Sequence, residues 1–505
     1  MAAATIPFVI TAMALAGCSS VSGGTDSGTK TLTLGIGRGI VSIDPWRLGS
    51  PGSDGSLQGA LYVGLTSIDP QGKTIPALAE DWRKIDDLTW RFELRPDTKF
   101  SDGSALTASD VAWNFQSILA PDSKSNRHTD LRSYTTSVTA DGERGIVFHL
   151  SAPARDLPSR LWNYYIVKPD FAKQHATLST AALGAGPYTL DSIDLDNGAK
   201  LTKNPHYFGP APAYDKVNYR VVPTEAARIA ALKSGEISAT VNLDINDLRQ
   251  FSDTTQWRVT NSSGSWTNHL LINEDAGNPA LKDVRVRQAL NYGIDKTTIT
   301  KNILGGTVSP SPGQALSAPW DPVNPTLSAY PYDPDRARKL LAAAGYGNGL
   351  SLELAVPSGT YVSSAQTTAA IVEQLQRIGV HITLTETPFP VWAPRTQTLK
   401  AADLTYRGAL GYYKNDLQVI RYYLPTGSVQ IHIPKSQADT DYAAAVKSTT
   451  AEEQQSLVNS ITQQQFDSAS FVFLWPQPAT SVSTTKVNWN IRPNLLLWPQ
   501  DFSPH

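Results

Sequence analysis

Hydrophobic and polar residues alternate along the chain with two different periods, which predict strands and helices. Thr31 to Ile36 and Trp90 to Leu94 alternate residue by residue, which is typical of half-buried strands. Thr107 and Asp110 have the spacing of a capping box and predict a helix start. The apolar residues that follow share one face of that helix: Val111, Phe115, Ile118 and Leu119.

Three later helices are also predicted. Asp333 followed by Pro334 predicts a helix start, and that helix stops near Gly345. The second helix carries the apolar residues Ile371, Leu375 and Ile378 and ends at Gly379, just before the strand Val380 to Leu384. The third helix is capped by Thr450 with Glu453 and carries Leu457 and Ile461. Strands and helices alternate without a repeat period, which predicts α/β lobes.

The size and composition predict a globular protein with more than one lobe. The chain has 505 residues, whereas a single core stops growing at about 250–300 residues. Hydrophobic content of 41% and charged content of 17% are ordinary for a folded domain. The formal charge of -2 gives no reason to expect a nucleic-acid partner.

The single cysteine, Cys18, follows Leu15-Ala16-Gly17 at the end of an apolar stretch that begins at Ile6. This arrangement resembles the lipobox of bacterial lipoproteins, although no Lys or Arg precedes the apolar stretch. The stretch is shorter than the roughly 20 residues that span a bilayer. We therefore interpret 1–17 as a lipoprotein signal peptide and 18–30 as a flexible stalk of the Gly/Ser kind. The alternative, a buried core cysteine, is disfavoured because Ser, Gly and Thr dominate the residues after it.

The chain carries few signatures of catalysis or of cofactor binding. Its eight histidines are scattered, with no helical metal-site spacing, and neither a P-loop nor a G-x-S-x-G elbow occurs. The run Gly35-Ile36-Gly37-Arg38-Gly39 has the wrong spacing for a dinucleotide turn. The sequence therefore favours a binding protein without a cofactor or a bound metal over an enzyme.

Several motifs resemble those of the family 5 extracellular solute-binding proteins of ABC importers, the dipeptide, oligopeptide and nickel binders. They run in the family's order from about residue 31 to 500. The motifs are Leu78 to Trp82, Trp90 to Arg95, Lys99 to Gly103, Leu106 to Val111, Gly184 to Tyr188, Leu232 to Ile237, Asn273, Asp283 to Tyr292, Ile294 with Asp295, and Leu375 to Val380. These motifs belong to the scaffold, so they leave the ligand open.

The resemblance implies an α/β fold of the periplasmic-binding-protein type II class, with two large lobes, a two-segment hinge and a smaller inserted lobe. The expected ranges are 31–57, 181–262 and 477–505 for lobe I, 58–180 for the inserted lobe, and 263–476 for lobe II. The hinge would comprise Ser263 to Leu271 and Phe471 to Gln477. Ligand binding would then close the two large lobes on each other.

Ligand contacts in this family lie in the loop after the first strand, at the hinge, and in a loop of the second large lobe. The corresponding candidates here are Trp46, Arg47, Trp266, His269, Tyr412, Tyr413 and Asp416.

The last loop departs from the family pattern. Peptide binders tend to carry an aspartate that pairs with the ligand's α-ammonium, and Tyr412 stands at that position, with Asn415 in place of a second aspartate. Either Asp416 replaces the missing carboxylate, or the ligand has no free amino terminus. An aromatic side chain would suit a sugar, an aromatic ring or a cation. Nickel is disfavoured because the loop has no histidine.

The resemblance therefore implies a substrate-binding subunit of an ABC importer. We expect a monomer outside the cytoplasmic membrane of a bacterium, held to its outer face by a lipid anchor alone. The expected partners are a peptide or another small solute and the permease subunits. Three alternatives stay open. The first is an importer subunit for a non-peptide solute, such as an oligosaccharide, an opine-like or an aromatic compound. The other two are a secreted hydrolase on a similar scaffold, and a sensor or chaperone whose ligand is read by a partner instead of being imported.

We predict that Cys18 carries the lipid anchor. Two or more acyl chains give stable membrane attachment, whereas one chain is marginal. Cys18→Ala should therefore move the protein from the membrane fraction to the soluble fraction, while Ser19→Ala should remain with membranes. Complete retention of Cys18→Ala in the membrane fraction would contradict this assignment.

Overall fold

The computed structural model of the protein describes residues 29–47, 52–175, 177–275, 277–316, 323–358, 360–396, 402–410, 417–421, 423–424, 433–492 and 494–505. The proposed signal peptide and Cys18 lie outside these ranges. Within them, no helix is long and apolar enough to cross a membrane.

Strands and helices are interspersed along the described part of the chain. The strands are β1 Thr31–Ile36, β2 Thr66–Ile68, β3 Thr74–Pro76, β4 Ala79–Asp86, β5 Thr89–Leu94, β6 Thr135–Asp141, β7 Gly145–Leu150, β8 Tyr188–Asp194, β9 Gly198–Lys203, β10 Lys216–Val221, β11 Ala239–Val241, β12 Trp257–Ile272, β13 Leu350–Ser358, β14 Val380–Pro388, β15 Leu404–Leu410, β16 Phe471–Thr484, β17 Val487–Trp489 and β18 Phe502–Pro504. The helices are α1 Ser53–Leu61, α2 Ala108–Leu119, α3 His128–Arg132, α4 Leu157–Arg160, α5 Pro169–Gln174, α6 Glu225–Ser234, α7 Val284–Tyr292, α8 Lys296–Asn302, α9 Pro334–Ala343, α10 Ser364–Arg377, α11 Phe389–Arg395, α12 Leu417–Arg421, α13 Gln437–Lys447 and α14 Ala451–Ser468.

One sheet runs through most of the molecule, in the order β14-β13-β15-β12-β16-β11-β1-β10-β9-β8. Its two central strands, β12 and β16, are antiparallel and belong to both sides of the sheet. The last residues of β16 pair with β11, whereas Trp266 to Ile272 of β12 pair with β15. We call the side from β11 to β8 the first half and the side from β15 to β14 the second half.

The pairing of β12 with β16 is interrupted where the two halves meet. The register shifts between Ser263 and Thr267, and again between Asn268 and His269. These positions fall within the segments for which the sequence predicts a hinge. The division into three lobes and its boundaries stay a prediction.

A separate four-stranded sheet, β4-β5-β7-β6, is covered on one face by α2. The predicted capping box of this helix is confirmed. Thr107 Oγ1 accepts a hydrogen bond from the amide of Asp110 at 3.3 Å, and the Asp110 carboxylate accepts one from the amide of Thr107 at 2.8 Å. The apolar face that includes Val111 and Phe115 is buried in the core under this sheet.

The other local predictions are also confirmed, with small shifts at element ends. Asp333 caps α9 and Thr450 caps α14. Helix α10 ends at Arg377 rather than at Gly379, and Gly379 has φ of 86°, a left-handed conformation that glycine adopts without strain. The chain can therefore turn there and enter β14 directly. The α/β class predicted from the sequence is observed.

Candidate functional site

A cavity of about 180 Å³ lies between the two halves of the main sheet, beside the interrupted pairing of β12 and β16. The first half contributes Arg38, which follows β1, and the start of α6. The second half contributes the loop Thr360 to Ser363, which precedes α10. The crossing strands contribute Trp266 and Gln477. A molecule in this cavity would therefore touch both halves and the strands that connect them.

Arg38 is a charged residue of the cavity that also joins the two halves. Its Nη2 donates a hydrogen bond to the carbonyl oxygen of Thr360 at 3.1 Å, and its guanidinium lies 5.0 Å from the centre of the Phe389 ring. Burial lowers the pKa of Arg38, although the nearby Tyr361 and Asp54 favour the charged form. Within the described ranges its guanidinium forms no close ion pair. An anionic group in the cavity would compensate for the lost hydration of this charge.

Trp266 is the sequence candidate that the structure places in the cavity wall. Its ring is half-buried and meets Tyr361 edge to face, with 6.3 Å between the ring centres. The Tyr361 hydroxyl accepts a hydrogen bond from the amide of Gly408 at 2.9 Å. Gly408 allows this close approach, since a Cβ there would lie 3.0 Å from the Tyr361 ring. The two aromatic side chains are thus held in place by β15.

His269 lies on the same strand but outside the cavity lining. Its buried ring packs edge to face against Tyr423 and Phe471, at centre distances of 5.1 Å and 5.3 Å. Burial, together with the nearby positive charge of Arg407, lowers the pKa of His269 to about 3. The residue is therefore neutral at physiological pH, and its surroundings are those of a core residue.

Trp46 and Arg47 lie away from this cavity, so the structure does not bring them together with Trp266. The half-buried Trp46 ring lies 5.5 Å from the Trp113 ring, and its Nε1 donates to Asn114 Oδ1 at 3.2 Å. Arg47 is exposed, and its Nε lies 3.6 Å from Asp44 Oδ2. Packing against α2 accounts for the position of Trp46. Tyr412, Tyr413 and Asp416 lie outside the described residues.

A second charged contact joins the region of the small sheet to the second half. Arg421 of α12 forms an ion pair with Asp130 of α3, with 3.0 Å between Nη1 and Oδ1. The other carboxylate oxygen of Asp130 accepts a hydrogen bond from the Tyr164 hydroxyl at 2.6 Å.

In the part of the chain that the structure describes, no group of three His, Cys, Asp or Glu side chains could hold a metal ion.

Sequence reasoning missed Arg38 and Tyr361. Arg38 does have a signal in the sequence, because a lone cation among glycines directly follows a buried strand, but the glycine spacing of this run matches no dinucleotide turn and so does not single out the arginine. Tyr361 has no such signal, since it lies in a loop and meets Trp266 only through the pairing of β12 with β15.

Comparisons with known proteins agree on one family. The family described as "Bacterial extracellular solute-binding proteins, family 5 Middle" matches residues 73–429. A putative ABC transporter peptide-binding protein of Brucella abortus is 30% identical over 309 residues, which cover 59% of this chain and 57% of that protein. The glutathione-binding protein GsiB of Pectobacterium atrosepticum is 24% identical over 473 residues, 91% of each chain. The chain thus matches somewhat more than half of the length of the first of these relatives.

Solved structures share the fold over nearly the whole chain. The periplasmic binding protein AgaA of A. tumefaciens R10, in complex with agropinic acid, has a TM-score of 0.82 at 22% identity and covers 94% of this chain and 99% of its own. DppA of Helicobacter pylori, in complex with the peptide STSA, has a TM-score of 0.83 at 21% identity, with coverage of 94% and 98%. At these identities the likeness shows the fold alone.

The surroundings of His269 predict a pH dependence of stability. Its folded-state pKa of about 3 lies below its ordinary value of 6.5, so the unfolded chain binds more protons between these pH values. Its contribution is complete above pH 6.5 and is lost as the pH falls below it. From pH 7.5 to 5.5 the free energy of unfolding should therefore fall by about 1.4 kcal/mol more in the wild type than in His269→Phe.

Urea titrations at the two pH values measure this difference. His149→Gln is the matched control, because it also removes one histidine but at an exposed position. An identical pH dependence in wild type and His269→Phe would show that His269 is not held neutral in the folded state.

Proposed function

The chain belongs to the bacterial extracellular solute-binding proteins of family 5, and we propose that it is the substrate-binding subunit of an ABC importer. Its ligand would be a peptide or peptide-like small solute, delivered unchanged to the permease subunits. The observation that carries this proposal is the cavity, which receives residues from both halves of the sheet and from the two strands that cross between them. The α/β binding-protein fold predicted from the sequence is confirmed by the solved structures.

Capture would work by closure about the interrupted segment of β12 and β16. A solute that contacts Arg38 on one side and the loop Thr360 to Ser363 on the other gains both sets of contacts only in the closed state. This difference in contacts shifts the population towards closure. Binding of this kind requires no bond to be made or broken, so the proposal includes no catalytic step.

We propose that Arg38 receives a carboxylate of the solute. Its guanidinium is partly buried, and among the described residues its hydrogen-bond acceptor is the neutral carbonyl of Thr360. Charge-assisted hydrogen bonds to a carboxylate are about twice as strong as bonds between neutral groups. Trp266 and Tyr361, which lie beside it, would supply apolar contact to the rest of the solute.

The amino end of the solute is the poorer match to the peptide binders of the family. The side chain aligned with their aspartate is the phenol of Tyr412, which carries no charge at physiological pH. A buried ammonium without a carboxylate is strongly disfavoured. An N-blocked or non-peptide acid is therefore the second candidate class. It includes opine-like solutes, of which agropinic acid is the one bound in the AgaA structure.

The protein would act outside the cytoplasmic membrane, to which a lipid on Cys18 would anchor it. The Gly/Ser stalk 18–30 would separate the anchor from β1, which begins at Thr31. This arrangement would keep a monomeric binding protein close to its permease while leaving the two halves free to move.

We predict that ligand binding closes the molecule without chemical change. Mass spectrometry of protein purified from its native host identifies the bound solute, and small-angle scattering then compares the apo and saturated forms. The radius of gyration should fall on saturation, and the solute should be recovered intact. An unchanged radius would contradict hinge closure, and a recovered hydrolysis product would favour the hydrolase alternative.

We predict that the two ends of a peptide contribute differently to its affinity. The tripeptide Ala-Phe-Ala can be prepared with its amino end free or acetylated and its carboxyl end free or amidated. The acetylated acid should bind best, and amidation should weaken it about tenfold or more, which is the range expected for hydrogen bonds to a charged group. Isothermal titration calorimetry measures all four forms.

Arg38→Gln should abolish the preference for the free carboxylate, because glutamine retains a donor for Thr360 but carries no charge. Arg249→Gln, at an exposed position of the same half, is the matched control and should keep the preference. If the free amine binds better than the acetylated one, Asp416 or another carboxylate receives the ammonium. If Arg38→Gln still prefers the acid, the carboxylate is bound elsewhere.

A further inference from the structure

A carboxylate from the first half of the sheet contacts the start of a helix that packs on the second half. Asp244 lies in the loop after β11, and α10 packs on β14. Asp244 Oδ2 accepts a hydrogen bond from Ser363 Oγ at 2.8 Å and another from Gln366 Nε2 at 3.2 Å. Asp244 and Ser363 are 119 residues apart in the chain, and both line the cavity between the halves.

The beginning of α10 lacks the groups that usually stabilise a helix start. Its N-cap residue, Ser363, makes no side-chain hydrogen bond to its own helix, and the first turn has no acidic residue. The first amides of a helix lack partners within the helix, and its N-terminus carries partial positive charge. Asp244 places a negative charge there from across the cavity.

The backbone of Ser363 also depends on its surroundings. Its φ is 52°, in the left-handed region, which a non-glycine residue keeps only where neighbouring contacts hold it. Its hydroxyl points to Asp244 instead of to its own helix. The hydrogen bond to Asp244 is therefore one of the contacts that favour this conformation.

Asp244 is itself held in place on the first half. Its Oδ1 accepts a hydrogen bond from the amide of Asn246 at 2.9 Å, and its own amide donates to the Glu225 carboxylate. The next residue, Ile245, packs against the apolar core of the second half. The loop after β11 therefore contacts the second half through the apolar side chain of Ile245 and the carboxylate of Asp244.

We propose that Asp244, Ser363 and Gln366 form a latch that stabilises the closed state and so sets the affinity for the ligand. The proposal rests on the proposed function, because it assumes that the two halves open and close. Without the latch, a smaller fraction of the protein would be closed before the ligand binds, and the apparent affinity would fall in proportion to that fraction.

Gln366→Glu separates the latch from the stability of the helix. A glutamate in the first turn stabilises a helix start, yet here it would place a second carboxylate against Asp244. The two halves should therefore move apart, although α10 itself becomes more stable. Ala365→Glu is the matched control, because it adds the same charge to the same turn at an exposed position. Asp244→Asn combined with Gln366→Glu should restore closure, because the asparagine amide can donate to the introduced carboxylate.

The distance between the halves is measured by double electron–electron resonance on the full chain. Spin labels are placed at Lys200→Cys and Thr383→Cys, two exposed positions on opposite halves, in a Cys18→Ala background. Without ligand, Gln366→Glu should shift the distribution to longer distances than the wild type or Ala365→Glu. Its affinity for the best-binding form of Ala-Phe-Ala should fall about tenfold, as for a lost hydrogen bond to a charged group.

The outcomes distinguish the latch from the function on which it rests. If wild type and Gln366→Glu show the same distribution, and both shift when ligand is added, the latch is overturned and hinge closure stands. If neither the wild-type distance nor that of Gln366→Glu responds to the native solute or to any form of the tripeptide, the proposed function itself is wrong.

Discussion

The pairing of β12 with β16 is the constraint on which the rest of the molecule depends. These two strands, of 16 and 14 residues, are the only neighbours in the described main sheet that belong to both of its halves. A regular ladder over this length would make the sheet one stiff unit. The interruption near Ser263 to Thr267 removes ladder hydrogen bonds where the halves meet, and Pro476 and Pro478 on β16 supply no amide donors there. Bending is therefore least costly at the cavity.

The strands remain connected at this point by side chains. Asn268 Nδ2 donates to Gln477 Oε1 at 2.6 Å in a buried position, so a side-chain hydrogen bond joins the two strands beside the interruption in their backbone pairing. In the described part of the chain, polar contacts between the halves include Arg38 with Thr360 and Asp244 with Ser363 and Gln366, and Asp130 pairs with Arg421. Ile245 adds an apolar contact. A typical hydrogen bond contributes about 0.5–1.5 kcal/mol net. Under the proposed hinge closure, interactions of this size would be comparable with the contacts that one solute makes, so the solute could decide the equilibrium.

Sequence reasoning succeeded where the chemistry is local. The Thr107–Asp110 capping box and the Asp333-Pro334 helix start depend on residues within one turn, and both are observed. Trp266 could be proposed because the family resemblance places its segment at the hinge, where ligand contacts lie. His269 has the same neighbourhood in sequence, but its ring points into a core formed by Tyr423 and Phe471, which are distant in the chain. Arg38 and Asp244 were missed for the same reason, because their partners lie 322 and 119 residues away.

The identity of the solute must follow from the charges in the cavity, since the scaffold does not determine it. A protein named for glutathione, and structures solved with a peptide and with agropinic acid, resemble this chain over 91–94% of its length. Arg38 has lost hydration without gaining a close ion pair in the described structure, and burial keeps the neighbouring Tyr361 protonated by raising the pKa of its phenol. An anionic group satisfies this arrangement, whereas a second cation near Arg38 would be repelled. In the proposed binding mode, the wall that holds Arg38 would therefore receive the acidic end of the solute, and the opposite end would find its partner among residues farther from β1.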